Sequence, residues 1–297
     1  MRLLITGCSG FIGSNLARHA LNVGYEVVGF DKKACKIDGI KMIIGSITDL
    51  EAVKGAMEGV DMVVHLAAVT SNVEFEKNPA KCYNINVNGF INTLDAAVLN
   101  SCKKFIYASS AAVYTAESGF SESSLIDIKK QRNHYAKSKL MNEMIADSYA
   151  DIYKMNIVGM RLFNVFGPGE NDKGDYASIM SIFIRENEQG KPLAVYGDGN
   201  QARDFIFVDD VSKVILSLLE KSIAPIYNVG TGKTTTYNEI ADIINKDKKV
   251  YVKNPLSSYQ RFTKADTTRL SGIIGTMEFT SVKNGIQKLL KHANNAS

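Results

Sequence analysis

A short apolar run, Arg2-Leu3-Leu4-Ile5-Thr6, feeds directly into Gly7-Cys8-Ser9-Gly10-Phe11-Ile12-Gly13, and a helix-patterned stretch follows. Three glycines at this spacing, between a strand and a helix, narrow the fold sharply. They permit a tight turn and a close backbone approach to a pyrophosphate, which then rests on the helix N-terminus. A second apolar run, Glu26–Asp31, ends on a carboxylate about 18 residues beyond Gly13. An acid there accepts hydrogen bonds from the adenosine ribose hydroxyls and repels a 2′-phosphate. Strand, glycines, helix, strand and acid occur in the order of a dinucleotide-binding βαβ unit. The cofactor set predicted here is Gly7, Gly10, Phe11, Ile12, Gly13 and Asp31, which favours NAD over NADP. Lys32 follows the acid and weakens that preference, because a lysine can meet a phosphate.

Short apolar runs then alternate with amphipathic stretches, the pattern of a parallel sheet with crossover helices. Strands are expected at Arg2–Thr6, Glu26–Asp31, Lys41–Ile44, Met62–His65, Lys104–Ser109 and Ile157–Phe163, and helices at Gly13–Val23, Asp49–Met57, Ala80–Asn100 and Tyr135–Lys154. The fold class is α/β: a doubly wound parallel sheet (Rossmann) with a smaller C-terminal substrate-binding lobe. A dinucleotide domain is expected over residues 1–165, with parts of 203–229 returning to it, and a substrate lobe mainly over 166–297. In the lobe, a helix is expected at Ala177–Gln189, strands at Phe205–Val208 and Pro225–Val229, and helices at Tyr237–Asn245 and Val282–Ala293.

The formal charge of +4 is small for 297 residues, and no long run of like charge occurs, so a nucleic-acid surface is not indicated. No Cys/His cluster has metal spacing, and the four cysteines read as reduced thiols. The chain begins on its first strand without a signal peptide, and no apolar run is long enough to span a bilayer. A soluble, cytoplasmic protein is expected, with no metal and no membrane partner.

The chemistry is carried by Tyr135-Ala136-Lys137-Ser138-Lys139, with Ser109-Ser110 upstream. Residues four apart on a helix share a face. An ammonium beside a phenol favours the phenolate, which is a proton acceptor able to work near neutral pH. Joined to a dinucleotide loop, the pair predicts hydride chemistry on an alcohol. Leu140, Met144, Ile145 and Tyr149 recur at helical spacing and are expected to form a buried platform for Tyr135.

Further segments fall in a specific order: His65-Leu66-Ala67-Ala68, Asn86-Val87-x-Gly89, Ser109-Ser110-Ala111-Ala112-Val113-Tyr114, Tyr135-x-x-x-Lys139, Arg161-Leu162-Phe163-Asn164-Val165-Phe166-Gly167-Pro168, Arg203-Asp204-Phe205-Ile206-Phe207-Val208 and Tyr227-Asn228-Val229-Gly230. Over essentially its whole length the chain resembles the NAD-dependent nucleotide-sugar epimerase/dehydratase branch of the extended short-chain dehydrogenase/reductases. The resemblance implies that Ser110 and Tyr135 act on the sugar, while Lys139 holds the nicotinamide ribose and lowers the Tyr135 pKa. It further implies that Ser46, Ile47, Leu66, Ala67, Ala68, Asn86, Ser109, Phe163 and Val165 lie along the cofactor. Asn164, Arg203 and Tyr259 are implied at the nucleotide diphosphate and its pocket. A homodimer through the helices Ala80–Asn100 and Tyr135–Lys154 is expected on the same ground.

Dehydratases of that branch follow the catalytic hydroxyl with Asp-Glu. Ala111 and Ala112 stand there and cannot transfer protons, which leaves epimerisation. The expected substrate is a UDP-hexose, epimerised at C4 through a transient 4-keto sugar. Lys173, in Lys173-Gly174-Asp175-Tyr176-Ala177-Ser178, matches a second acid/base of the ADP-glycero-manno-heptose 6-epimerases and keeps that activity as an alternative. A net nucleotide-sugar reductase or dehydrogenase is a second alternative. A dinucleotide sensor without catalysis is disfavoured, because it has no need of Ser110, Tyr135 and Lys139 together.

Overall fold

The computed structural model describes residues 1–115, 120–170, 178–253, 261–275 and 277–294; Lys173 and Tyr259 lie outside them. The chain divides into two compact units. The first comprises Met1–Thr115, Leu125–Leu162 and Ser212–Tyr227, and the second Ala116–Ser124, Phe163–Val211 and Asn228–Ser297.

In chain order the first unit holds β1 (Arg2–Thr6), α1 (Phe11–Asn22), β2 (Glu26–Asp31), β3 (Lys41–Ile44), α2 (Leu50–Met57), β4 (Met62–His65), α3 (Asn72–Lys77), α4 (Pro79–Tyr83), α5 (Gly89–Leu99), β5 (Lys104–Ser110), α6 (His134–Tyr153) and β6 (Ile157–Leu162). There follow β7 (Asn164–Phe166), α7 (Ile179–Glu188), β8 (Leu193–Tyr196), β9 (Ala202–Arg203), β10 (Phe205–Phe207), α8 (Val208–Lys221), β11 (Ile226–Val229), β12 (Thr235–Thr236), α9 (Tyr237–Asn245), β13 (Lys249–Val252), α10 (Thr268–Ile274) and α11 (Val282–Asn294).

Seven parallel strands form one sheet in the order β3-β2-β1-β4-β5-β6-β11, the doubly wound architecture expected from the alternating runs. Leu3, Leu4 and Ile5 of β1 are all fully buried, because helices cover both faces of such a sheet. The strand order reverses between β1 and β4. A crevice at that switch point, beyond the strands' carboxyl ends, is where open α/β sheets take ligands. The core under it joins Leu4, Val28, Phe30, Ile47, Val63, Phe90, Leu94, Phe105 and Tyr107.

The second unit packs its own core from Phe166, Phe183, Leu193, Val195, Phe205, Phe207, Ile240 and Ile286. Its strands pair two by two, β10 with β7, β12 with β9 and β13 with β8.

Four expectations need correction. The first helix begins at Phe11, so Gly13 lies inside its first turn; Gly10 supplies the extended N-cap. The helix expected at Ala80–Asn100 is interrupted by a π-helical turn, Asn84–Asn88, which turns Asn86 into the interior. Val208 opens a helix, α8, rather than closing a strand. Met144 is 63 % exposed, while Leu140 is buried. The hydrophobic period marks a stripe, and Met144 falls just beyond its edge.

Candidate functional site

Backbone hydrogen bonds brace the turn after β1. The Gly7 amide donates to Phe30 at 2.9 Å and the Gly10 amide to Gly7 at 3.0 Å. Gly7 has φ +73°, and a Cβ there would lie 2.7 Å from the Ala67 amide nitrogen. A Cβ on Gly13 would come 2.1 Å from the Gly7 carbonyl oxygen. Only glycines leave this cradle open, and their close approach brings the backbone of Leu66 and Ala67 against the turn. The α1 N-terminus faces the same loop, and the first amides of a helix have no intrahelical partners.

Asp31 closes β2 and accepts bonds from the Ser9 and Lys33 amides, each at 3.1 Å. Its carboxylate is thereby fixed at the edge of the cradle, and Lys32 beside it is exposed. Ser46 bonds the Thr48 hydroxyl at 2.8 Å. The Ile47 side chain is buried in the core and fills the space beside Gly89. After β4 the Ala67 amide reaches the Thr6 hydroxyl at 3.3 Å, and half-buried Ala68 follows. Asn86 uses both ends of its amide on Val69 and donates to the Ser138 hydroxyl at 3.0 Å. It thus clamps the segment after β4 to α6.

Tyr135 stands in the first turn of α6, where Asn133 caps the helix by accepting from the Ala136 amide at 3.1 Å. Ser110 is the neighbour whose hydroxyl favours the ionised form of the tyrosine; its Oγ accepts from the Ala112 amide at 3.2 Å, and the Tyr135 ring packs beside Phe75, 6.3 Å between centroids. Lys139 is buried; its Nζ donates to the Ala108 carbonyl at 2.8 Å and lies 5.8 Å from the Tyr135 ring centre. Ser109 points the other way and donates to Glu143.

The ionisation of this pair departs from the expectation. Burial raises the Tyr135 pKa above its ordinary value, and the opposing influence comes from the Ser110 hydroxyl. Burial also pulls Lys139 down to about 8, with Glu143 acting against it. Desolvation penalises both charged forms, and the i, i+4 spacing by itself carries no information about it.

In the second unit, Phe163 is buried, its ring 6.2 Å from that of Phe120. Val165 pairs with Ile206 between β7 and β10. Asn164 donates from Nδ2 to the Asp204 carbonyl at 2.9 Å and to the Thr263 hydroxyl at 3.2 Å. Arg203 is buried and donates to the Ala202 carbonyl at 3.1 Å. Between them stands a residue that sequence reasoning missed. The fully buried Asp204 carboxylate accepts from the Thr231 amide at 2.8 Å, the Thr231 hydroxyl at 2.7 Å, the Gly232 amide at 2.9 Å and the Ala265 amide at 3.0 Å. A carboxylate in the otherwise apolar run Asp204-Phe205-Ile206-Phe207-Val208 was the available signal.

The glycine cradle, the α1 N-terminus and Asp31 fit a dinucleotide at the switch point; Ser110, Tyr135 and Lys139 place two hydroxyls and an amine on the same unit. The chain matches the family model described as the NAD dependent epimerase/dehydratase family over residues 3–230. It is 31% identical to the ADP-L-glycero-D-manno-heptose-6-epimerase of Alkalilimnicola ehrlichii, across 97% of this chain and 96% of that one. Among solved structures, the UDP-glucose 4-epimerase of Thermotoga maritima with UDP-glucose superposes with TM-score 0.91 at 26% identity, covering 100% of this chain and 99% of that one. The UDP-glucose 4-epimerase of Thermus thermophilus, complexed with NAD, gives 0.85 at 26% identity and covers 100% of both chains.

Proposed function

The chain belongs to the NAD-dependent epimerase/dehydratase family, and we propose that within it the protein is a nucleotide-sugar epimerase acting at C4 of a UDP-hexose. Its cofactor is NAD. The observation that carries the reading is Ser110 acting on the Tyr135 hydroxyl, with Ala111 and Ala112 following it in the chain. One hydroxyl-centred proton relay is present, and the two positions that would remove water are methyl groups. When bound, NAD supplies the hydride acceptor and later the donor, and is regenerated in each cycle. Tyr135, assisted by Ser110, takes the 4-hydroxyl proton and later gives it back. Lys139 holds the nicotinamide ribose, and Gly7–Gly13 with Asp31 hold the diphosphate and adenosine ribose. Asn164 and Arg203 take the substrate diphosphate; a contact from Asn164 competes with its bonds to Asp204 and Thr263. The relatives with UDP-glucose in their names support the nucleotide.

A second reading is ADP-heptose 6-epimerisation, favoured by the relative at 31% identity and by Lys173. In either case the functional species is proposed to be a homodimer through α5 and α6, where Leu99, Met141, Met144 and Ile152 are exposed. The test is incubation of the purified protein and NAD with UDP-glucose, UDP-N-acetylglucosamine and ADP-heptose in separate arms, products read by proton NMR. A C4 epimer from a UDP-sugar supports the proposal. Product only from the heptose replaces it with the second reading. Stoichiometric NADH in any arm makes the enzyme a dehydrogenase.

A further inference from the structure

The face of α6 that carries Tyr135 and Lys139 continues to Glu143, four residues further on. These three residues meet three consecutive residues of β5. Lys139 donates to the Ala108 carbonyl and the Ser109 hydroxyl donates to Glu143, while Ser110 is the residue whose hydroxyl acts on Tyr135. Glu143 also accepts two bonds from Arg161 of β6, Nε to Oε1 at 3.0 Å and Nη2 to Oε2 at 2.8 Å. The side chains of that pair are only 7% and 14% exposed. Arg161 is fixed in turn by Nη1, which donates to the Tyr114 hydroxyl at 3.0 Å.

Resting on the reading of Tyr135 and Lys139 as the reacting set, we propose that Glu143 is a positioning residue for it. Glu143 locks the register of α6 on β5 and, as the anion between Lys139 and Arg161, keeps the Lys139 ammonium charged. A buried ion pair yields little net stability against a well-packed apolar pair, whereas its field acts strongly on a charge one helical turn away in a dry interior. The charged and titratable groups around Lys139 are Tyr135 and Glu143 from α6, His65 from β4 and, through Glu143, Arg161 from β6; Tyr107 of β5 and Asp147 of α6 lie beside that ion pair. His65 is held neutral by its burial, and Tyr135 by its own. The adjacent full charges acting on Lys139 are therefore an anion close by and a cation behind it, with opposite effects on its proton.

Those opposite signs make the test. The Lys139 Cε resonance is followed by NMR through a pH titration of NAD-free protein labelled with [13Cε]lysine, and is assigned by its loss in Lys139→Met. Glu143→Gln keeps the volume and removes the anion; it should lower the Lys139 midpoint by about one to two pH units. Arg161→Met leaves the anion unopposed and should raise the midpoint. The double variant should fall between the two. Displacements of the same sign in the two single variants, or none, overturn the proposal, since a purely structural disturbance has no reason to change sign. Should Glu143→Gln not fold, the Arg161→Met titration decides by its direction. The same variants are assayed with NAD and nucleotide sugar. Wild-type protein that turns over no sugar while the opposed shifts hold removes the reading of the reaction and leaves this inference in place.

Discussion

Lys139 stands one helical turn from Tyr135, its Nζ 5.8 Å from the ring centre, and gives its hydrogen bond to Ala108 instead. The two side chains share a face, yet burial dominates them both: the phenol is held neutral and the ammonium is brought down to about 8. Within the chain, Ser110 favours the phenolate. A nicotinamide cation bound nearby would act in the same direction as Ser110. In the proposed mechanism, proton acceptance by Tyr135 is thus tied to occupancy of the site by the cofactor.

Replacing Tyr135 by Phe removes the hydroxyl and little else. Turnover should fall by about 10²- to 10⁴-fold, the usual contribution of a general acid/base, while NAD affinity measured by calorimetry stays within about twofold, a few tenths of a kcal/mol. Unchanged turnover would show that Tyr135 is not the base.

The glycines of the cradle should differ sharply from a glycine elsewhere. Gly13→Ala drives a Cβ to 2.1 Å from the Gly7 oxygen and under 3 Å from further backbone atoms of Gly7 and Cys8. It should cost about 3 kcal/mol or more and abolish NAD binding. A methyl group added to Gly55, in the last turn of α2, would meet nothing within 4 Å. Gly55→Ala should stabilise by about 0.5–1 kcal/mol through helix propensity. Urea melts of the two variants provide the comparison.

His65 predicts a pH dependence of stability. It is 2% exposed, packed against Phe90 at 5.4 Å, with Nδ1 3.1 Å from the Thr6 hydroxyl. Burial, helped by the Lys139 ammonium, lowers its pKa to about 3. Its folded pKa lies below the unfolded value of about 6.5, so above that value neither state is protonated and stability is full. As the pH falls, the unfolded chain binds a proton that the folded chain refuses. Stability then declines by up to about 1.4 kcal/mol per pH unit until the folded residue titrates near 3. His65→Phe should flatten the slope of unfolding free energy between about pH 6 and pH 4, whatever it does to absolute stability; an unchanged slope would refute the assignment.

Asp204→Ala leaves two peptide groups of a loop, a third from Ala265 and a hydroxyl without their acceptor. The expected loss is about 3–5 kcal/mol, read from denaturant melts. A loss under about 1 kcal/mol would mean that water replaces the carboxylate.

The glycine cradle and the parallel sheet were legible because each is a local matter. Gly7, Gly10 and Gly13 announce a backbone that approaches itself, and fully apolar runs such as Leu3-Leu4-Ile5 announce strands covered on both faces. The spacing of Tyr135 and Lys139 likewise determined their common face, because helical period is set by neighbours in the chain. The break at Asn84–Asn88 was not legible, since Asn86 turns inward to meet Val69 and Ser138, partners remote in sequence. Neither was the role of Asp204, whose donors come from beyond residue 230. The ionisation of the Tyr135–Lys139 pair belongs to the same class. It depends on how much water the fold excludes and on Glu143, which Arg161 of the neighbouring strand holds in place. Residue types and spacing thus determined which groups could do the chemistry; only the tertiary structure decided their charge, because desolvation and long-range charge pairs exist only once the chain has packed.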